Sequence, residues 1–119
     1  MAGIKGSVLK KTIAVLEKAG RQKKQRIWLD LAKRLNKRSR ARITVNVWKI
    51  ESMAEKLKGK TVVVPGKVLG KGELNSGISV AALSFSKEAR EQIEKKGKAI
   101  SLTELAESDT KPEEMVIIA

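Results

Sequence analysis

The chain contains no cysteine, no histidine and no tyrosine. Without cysteine there is no disulfide, zinc knuckle or thiolate nucleophile. Without histidine, hydrolases built on Ser-His or Cys-His pairs are excluded, as are His-ligated metals. Aromatics are scarce too: Trp28, Trp48 and Phe85 are the whole set. Three are too few for the base-stacking platform of an RRM or a single-strand-binding fold. No apolar run approaches the roughly 20 residues of a membrane span. Residues 1–11 lack the apolar stretch of a secretory signal. A small, soluble, intracellular protein is expected.

What is present is basic. The 119 residues carry 26 Lys and Arg against 13 Asp and Glu, a net charge of +13. Hydrophobic residues make up 41%, enough to bury a core. Abundant Lys and Glu with few Asn and Gln fit a thermophile. The charge is unevenly placed. Residues 1–42 hold fourteen Lys and Arg against only Glu17 and Asp30, a net of +12. Residues 43–119 hold twelve basic and eleven acidic residues, a net of +1. A solvated face usually mixes its signs, and the first third does not. A polyanion-binding arm on a nearly neutral domain follows.

Leu9, Ile13 and Leu16 fall at i, i+4 and i+7 and predict a helix over residues 8–19, capped by Ser7 and ended by Gly20. Lys10, Lys11 and Lys18 lie off that stripe. Residues 21–24 read as a basic connector. Ile27, Leu31 and Leu35, flanked by Trp28 and Ala32, predict a second helix over about 25–36. Its other face carries Arg26, Lys33, Arg34 and Lys37. Two amphipathic helices on a short link predict a helical hairpin with basic faces outward. The run Lys37-Arg38-Ser39-Arg40-Ala41-Arg42 has no apolar period and reads as an exposed basic turn.

Beyond residue 42 the pattern changes. Ile43, Val45 and Val47 alternate briefly, and Asn46 is placed to cap a third helix ending near Leu57, with Gly59 past its end. Residues 61–64 read as a strand stopped by Pro65-Gly66, and 67–69 as a second short strand. Gly70, Gly72 and Gly77 mark a turn region. Residues 78–85 read as a strand with apolar residues on both faces. Ser86 caps a helix to about residue 96, ended by Gly97. Ser101 and Glu104 form a capping box, with Ile100 and Leu105 as its hydrophobic staple. Pro112 breaks the chain before a final strand over 115–118. The expected fold class is α/β: a layered, mixed core over 43–119. A basic helical extension over 1–42 docks on it through Leu9, Ile13, Leu31 and Leu35.

The glycine-rich stretch Gly66-Lys67-Val68-Leu69-Gly70-Lys71-Gly72 has three residues between Gly66 and Gly70-Lys71, where a P-loop needs four, and no Ser or Thr follows. An ordinary turn is the better account, with Lys67 and Lys71 available to approach phosphate. The acidic residues, among them Glu51, Glu55, Glu88, Glu91 and Glu94, mostly fall on helices beside Lys and read as solvated surface. None has metal-ligand spacing, so neither an enzyme nor a cofactor is expected. Trp28 and Trp48 are expected to serve packing. Basic helices and a basic turn without stacking aromatics indicate contacts to phosphate rather than base reading. Composition alone leaves both a DNA-compacting chromosomal protein and an RNA-scaffold protein open.

Three blocks carry a resemblance: Val45-Asn46-Val47-Trp48-Lys49-Ile50; Val62-Val63-Val64-Pro65-Gly66-Lys67-Val68-Leu69-Gly70; and Val80-Ala81-Ala82-Leu83-Ser84-Phe85-Ser86. In this order they resemble the archaeal and eukaryotic large-subunit ribosomal protein eighteen-e family, which is related to bacterial large-subunit protein fifteen. The resemblance spans residues 8–119. It implies irregular strand-strand-helix layers preceded by helices. It also implies a structural role in the large ribosomal subunit of the cytoplasm, bound to rRNA and neighbouring proteins. No membrane or small-molecule substrate is implied. The chain lacks the long basic C-terminal tail of the eukaryotic members, which suggests the short archaeal form. The expected RNA-binding residues are Lys5, Lys10, Lys11, Lys18, Arg21, Lys23, Lys24, Arg26, Lys33, Arg34, Lys37, Arg38, Arg40, Arg42, Lys67 and Lys71.

Overall fold

A computed structural model describes residues 6–36, 43–108 and 110–118. Helix α1 (Gly6–Lys23) and helix α2 (Arg26–Leu35) form the expected hairpin. Ser7 stands inside α1 rather than at its cap, since the helix already opens at Gly6. Nor does α1 stop at Gly20. The turn falls on Lys24, which takes a left-handed φ of 54°. The Gln25 N–H then reaches back to the Gly20 carbonyl at 3.3 Å. This is the six-to-one closure of a helix end, with lysine where glycine is usual. Gly20 meets a different need. A Cβ there would lie 2.7 Å from Leu29 Cγ, so the bare backbone lets α2 pass close to α1.

The chain continues through β1 (Ile43–Asn46), α3 (Val47–Ser52), β2 (Thr61–Leu69), β3 (Ser79–Phe85) and α4 (Lys87–Glu94). It then forms β4 (Ala99–Ser101), α5 (Leu102–Glu107), a 3-10 turn (Pro112–Glu114) and β5 (Met115–Ile117). The strands form one sheet, ordered β1-β2-β3-β4 with β5 also on β2, and every pairing is parallel.

Two boundaries differ from expectation. The pair of short strands is a single nine-residue β2 that continues through Pro65-Gly66. Its outer edge is shared: β5 pairs with Thr61 to Val63, and β1 pairs from Gly66 onward. On the inner edge the register with β3 shifts between Val64 and Lys67. Pro65 therefore sits where neither ladder requires its missing N–H. Helix α3 is shorter than expected. Asn46 occupies its cap position without a side-chain cap bond. The Met53 and Ala54 N–H groups turn to the Ile50 and Glu51 carbonyls, each at 3.1 Å. These tight closures end the helix near Ser52 and leave turns over 53–59.

The local caps match the sequence. Ser86 Oγ accepts the Ala89 N–H at 3.2 Å. Ser101 Oγ accepts the Glu104 N–H at 3.1 Å, while Glu104 Oε1 accepts the Ser101 N–H at 3.4 Å. The Gly97 N–H closes on the Ile93 carbonyl at 2.8 Å.

Side chains alternate across the sheet as pleating requires. Val62, Val64, Val80 and Ala82 face α3 and α4, joining Val47, Ile50, Ala89 and Ile93 in one apolar cluster. Val63 and Ala81 face the other way, joining Leu16, Trp28, Leu31, Leu35, Leu102 and Leu105 in a second. The result is three layers, α/β/α, with the hairpin and α5 covering one face. Leu31 and Leu35 are fully buried, while Leu9 and Ile13 lie half-buried at the margin of that cluster.

Candidate nucleic-acid interface

The hairpin buries its apolar stripe against the rest of the fold, which leaves most of its charged positions open to solvent. Lys10, Lys11, Lys18 and Arg21 are exposed on α1, and Arg26 and Lys33 on α2; Lys24 is exposed in the turn between them. Lys11, Lys18 and Arg21 follow at i+7 and i+10, so they share one flank of α1. Among the described residues only two ion pairs form: Arg34 with Asp30 at 3.4 Å, and Arg90 with Glu94 at 3.3 Å. The other hairpin cations have no acidic partner there. Such a field of unmatched charge suits a polyanion.

Not every hairpin cation has the same job. Lys23 is half-buried, and its Nζ donates to the Ala106 carbonyl at 2.6 Å and the Ser108 carbonyl at 2.8 Å. It thus closes the C-terminal end of α5, where free carbonyls and the helix dipole favour a cation. The same ammonium lies 5.1 Å from the centre of the buried Trp28 ring. Trp28 Nε1 in turn donates to Gln25 Oε1 at 2.6 Å. Lys23 ties the hairpin to the fold.

A cleft of about 750 Å³ opens along the hairpin, lined by Ile13, Glu17, Arg26, Ile27, Leu29, Asp30, Ala32, Lys33 and Asn36. Both acids of the basic third lie there with two cations, so the cleft is not a focused anion site. Lys5, Lys37, Arg38, Arg40 and Arg42 lie outside the described residues.

Lys67 and Lys71 belong to a second place. Parallel strands send all their carboxyl ends to one edge, the usual binding edge of such sheets. There β2 leads into the loop of residues 70–77. Lys67 is half-buried in β2, and Lys71 is exposed in the loop. The loop is latched from two helices. From α4, Gln92 Nε2 donates to the Gly70 and Gly72 carbonyls at 3.0 and 2.8 Å, and its Oε1 accepts the Leu74 N–H at 2.8 Å. Beyond that helix, Lys96 Nζ donates to the Asn75 carbonyl at 3.0 Å. From α3, Glu51 Oε1 accepts the Asn75 and Ser76 N–H groups at 3.2 and 3.1 Å. The Ser76 side chain, those two N–H groups and nearby Lys96 together hold the Glu51 carboxyl below its ordinary pKa. Glu51 is therefore a loop anchor rather than simple surface charge. Its bonding partners are 24 and 25 residues away, beyond any local pattern.

One aromatic departs from expectation. Trp28 is fully buried, as expected, but Trp48 is 50% exposed beside this loop. No helix of the described residues is long and apolar enough to cross a membrane.

Comparison with known proteins identifies the family. A family profile that unites ribosomal proteins 50S-L15 and 50S-L18e with their 60S counterpart matches residues 29–101. The large ribosomal subunit protein eL18 of Methanospirillum hungatei is 42% identical over 104 residues, covering 87% of this chain and 84% of that protein. Its counterpart in Haloarcula marismortui is 42% identical over 101 residues, covering 85% of each. That of Sulfurisphaera tokodaii is 45% identical over 96 residues, covering 80% and 76%. With a profile over more than half its length and relatives at this identity, the chain belongs to the family of ribosomal proteins that contains 50S-L15 and 50S-L18e.

Proposed function

We propose that this protein is a structural constituent of the large ribosomal subunit, holding folded rRNA through phosphate contacts and performing no catalysis. The observation that carries this is the charge of +12 over residues 1–42, of which Lys10, Lys11, Lys18, Arg21, Arg26 and Lys33 stand exposed on the two helices. The names of the eL18 relatives support the choice of a large-subunit partner.

The proposed division of labour is simple. Residues 1–42 make the main contact, and the mixed α/β core of residues 43–119 holds them in place. Lys10, Lys11, Lys18, Arg21, Lys24, Arg26 and Lys33 meet phosphates from the hairpin. Arg34 joins them, its pairing with Asp30 being exposed and readily exchanged. Lys5, Lys37, Arg38, Arg40 and Arg42 extend the set along the sequence. Arginine forks onto two phosphate oxygens where lysine offers a point charge, so the three arginines over 38–42 suit a bend in folded RNA. Lys23 contributes to the field while its ammonium stays on α5. Lys67 and Lys71 form a second, smaller contact at the carboxyl edge of the sheet. Neighbouring large-subunit proteins complete the surroundings, in the cytoplasm.

The test is sedimentation of the native protein in a cell extract. It should travel with the large subunit and remain there at moderate salt. Sedimentation with chromosomal DNA instead would favour an architectural DNA-compacting protein.

A further inference from the structure

Trp48 belongs to neither apolar cluster. Its indole N–H has no hydrogen-bond partner among the described residues. Yet its position is fixed with care. The Trp48 backbone N–H donates to the Lys71 carbonyl at 3.2 Å. Gly72 takes a φ of 97°, and a Cβ on it would lie 2.5 Å from Trp48 Cβ. Glu51, one turn further along α3, pins the same loop through Asn75 and Ser76. The ring thus stands on a platform held from both sides, with little ordering left to do on binding.

The surroundings of the ring say what would cover it. The other large exposed apolar side chains, Val8 and Leu29, lie on the hairpin. Trp48 thus stands apart from them, an exposed aromatic surface at the carboxyl edge of the sheet. It is the right size for one base, since every base offers a π-face. Lys49 follows it in the chain and Lys71 bonds it through the backbone; both side chains are exposed and without an ion pair among the described residues. Glu73 is the single acid of the 70–77 loop. Indole with flanking cations is the pairing that holds unstacked nucleotides.

We propose that Trp48 stacks on an unpaired base of the large-subunit rRNA, with Lys49 and Lys71 on the adjoining phosphates. This rests on the rRNA-binding function above and adds to it a contact with a base. The site lies at the opposite end of β1 from Ile43, roughly 13 Å away along four residues of strand.

The test uses the full chain and a large-subunit rRNA transcript, with each variant first shown to melt like the parent. Trp48→Ala should weaken binding about five- to a hundredfold, the range found for losing one stacked base. The salt slope should stay unchanged, because no phosphate contact is removed. Trp48→Leu keeps apolar surface without a π-face and should be as weak as Trp48→Ala. Trp48→Phe should fall between Trp48→Ala and the parent. Trp28 is buried, so acrylamide quenching of the parent reports Trp48, which should become shielded in the rRNA complex. If Trp48→Ala or Trp48→Leu binds like the parent, stacking is wrong, while a steep salt dependence of the parent leaves the phosphate contacts standing. If Trp48 stays open to acrylamide on rRNA but is shielded in the intact large subunit, a neighbouring protein covers it and the proposal falls. If the parent does not bind rRNA at all, both proposals fall.

Discussion

Helix α4 and the hairpin cover opposite faces of the same sheet, and each buries an apolar stripe. They differ in what they show to water. Over α4, Lys87, Glu88, Arg90, Glu91 and Glu94 mix the signs, and Arg90 and Glu94 pair at 3.3 Å. Over α1 and α2, seven Lys and Arg from Lys10 to Arg34, leaving out Lys24 and the inward-turned Lys23, face only Glu17 and Asp30. Burying the stripe places no demand on the sign of the far side. The sign is therefore free to be set by a partner, and of the two only the hairpin carries one sign almost throughout. Under the proposed function, fold and binding share the same two helices but use different residues of them.

The largest effect is expected on removal of the hairpin. Deleting residues 1–42 takes away fully buried Leu16, Trp28, Leu31 and Leu35. At 1.5–3 kcal/mol for each, the loss is about 6–12 kcal/mol, comparable with the whole stability of a small domain. The truncated chain should lose its cooperative melt as well as its rRNA affinity. A truncated chain that melts cooperatively near the parent temperature would show that the hairpin is only an appendage.

Charge removal separates the two roles more sharply. Changing Lys10, Lys11, Lys18, Arg21 and Lys33 together to Gln should leave the melting temperature within a few degrees. It should cut rRNA affinity at least about a hundredfold near 150 mM salt and lower the salt slope by about one per lost contact. The same change at Lys56, Lys58, Lys60, Lys95 and Lys111 should cost less than about tenfold. Equal losses in the two sets would mean that total charge matters and its placement does not.

A single residue carries the separation furthest. Lys24 sits in a left-handed conformation that costs a side chain roughly 1–2 kcal/mol. Lys24→Gly should raise stability by up to about 1 kcal/mol in denaturant titration while weakening rRNA binding slightly, so that fold and function move in opposite directions. The smallest effect is expected at the loop anchor. Because Glu51's pKa is lowered in the folded protein, its contribution is full above its ordinary unfolded value near 4.5. That contribution is lost only as pH falls through the lower folded value. Glu51→Gln should speed amide exchange at Asn75 and Ser76 at neutral pH with little change in global melting. In the parent the same exchange should stay slow at every pH above that ordinary value. Unchanged exchange in the variant would show that Gln92 and Lys96 hold the loop without it.

Features set by neighbouring residues were legible in the sequence. The Ser101–Glu104 box, the Ser86 cap and the Gly97 stop each involve atoms within a few positions, and each stands where the pattern placed it. The hairpin, the α/β class and the buried Trp28, Leu31 and Leu35 were legible from periodicity. What escaped was set by distant contacts. Gly20 resembles a helix stop, but its role is to admit Leu29 from the next helix. Pro65 resembles a strand stop, but two different neighbours share the edge of β2 and neither needs its N–H. Trp48 resembles a core residue, and only the sheet topology, which brings β1 beside the 70–77 loop, shows that its ring is left outside. The unmatched cations of the hairpin were visible as composition. That Lys23 turns inward to α5 was not, because its acceptors lie 83 and 85 residues away.

A hairpin face that holds folded rRNA by its phosphates must release its RNA as salt rises. The most direct measurement is the affinity of the full chain for a large-subunit rRNA transcript as salt rises from about 50 to 200 mM, beside random duplex DNA of equal length. If six or more phosphates are contacted, the rRNA affinity should fall by about three powers of ten or more while staying tighter than that for DNA at every salt concentration. A flat salt response, or DNA bound as tightly as rRNA, would contradict the account.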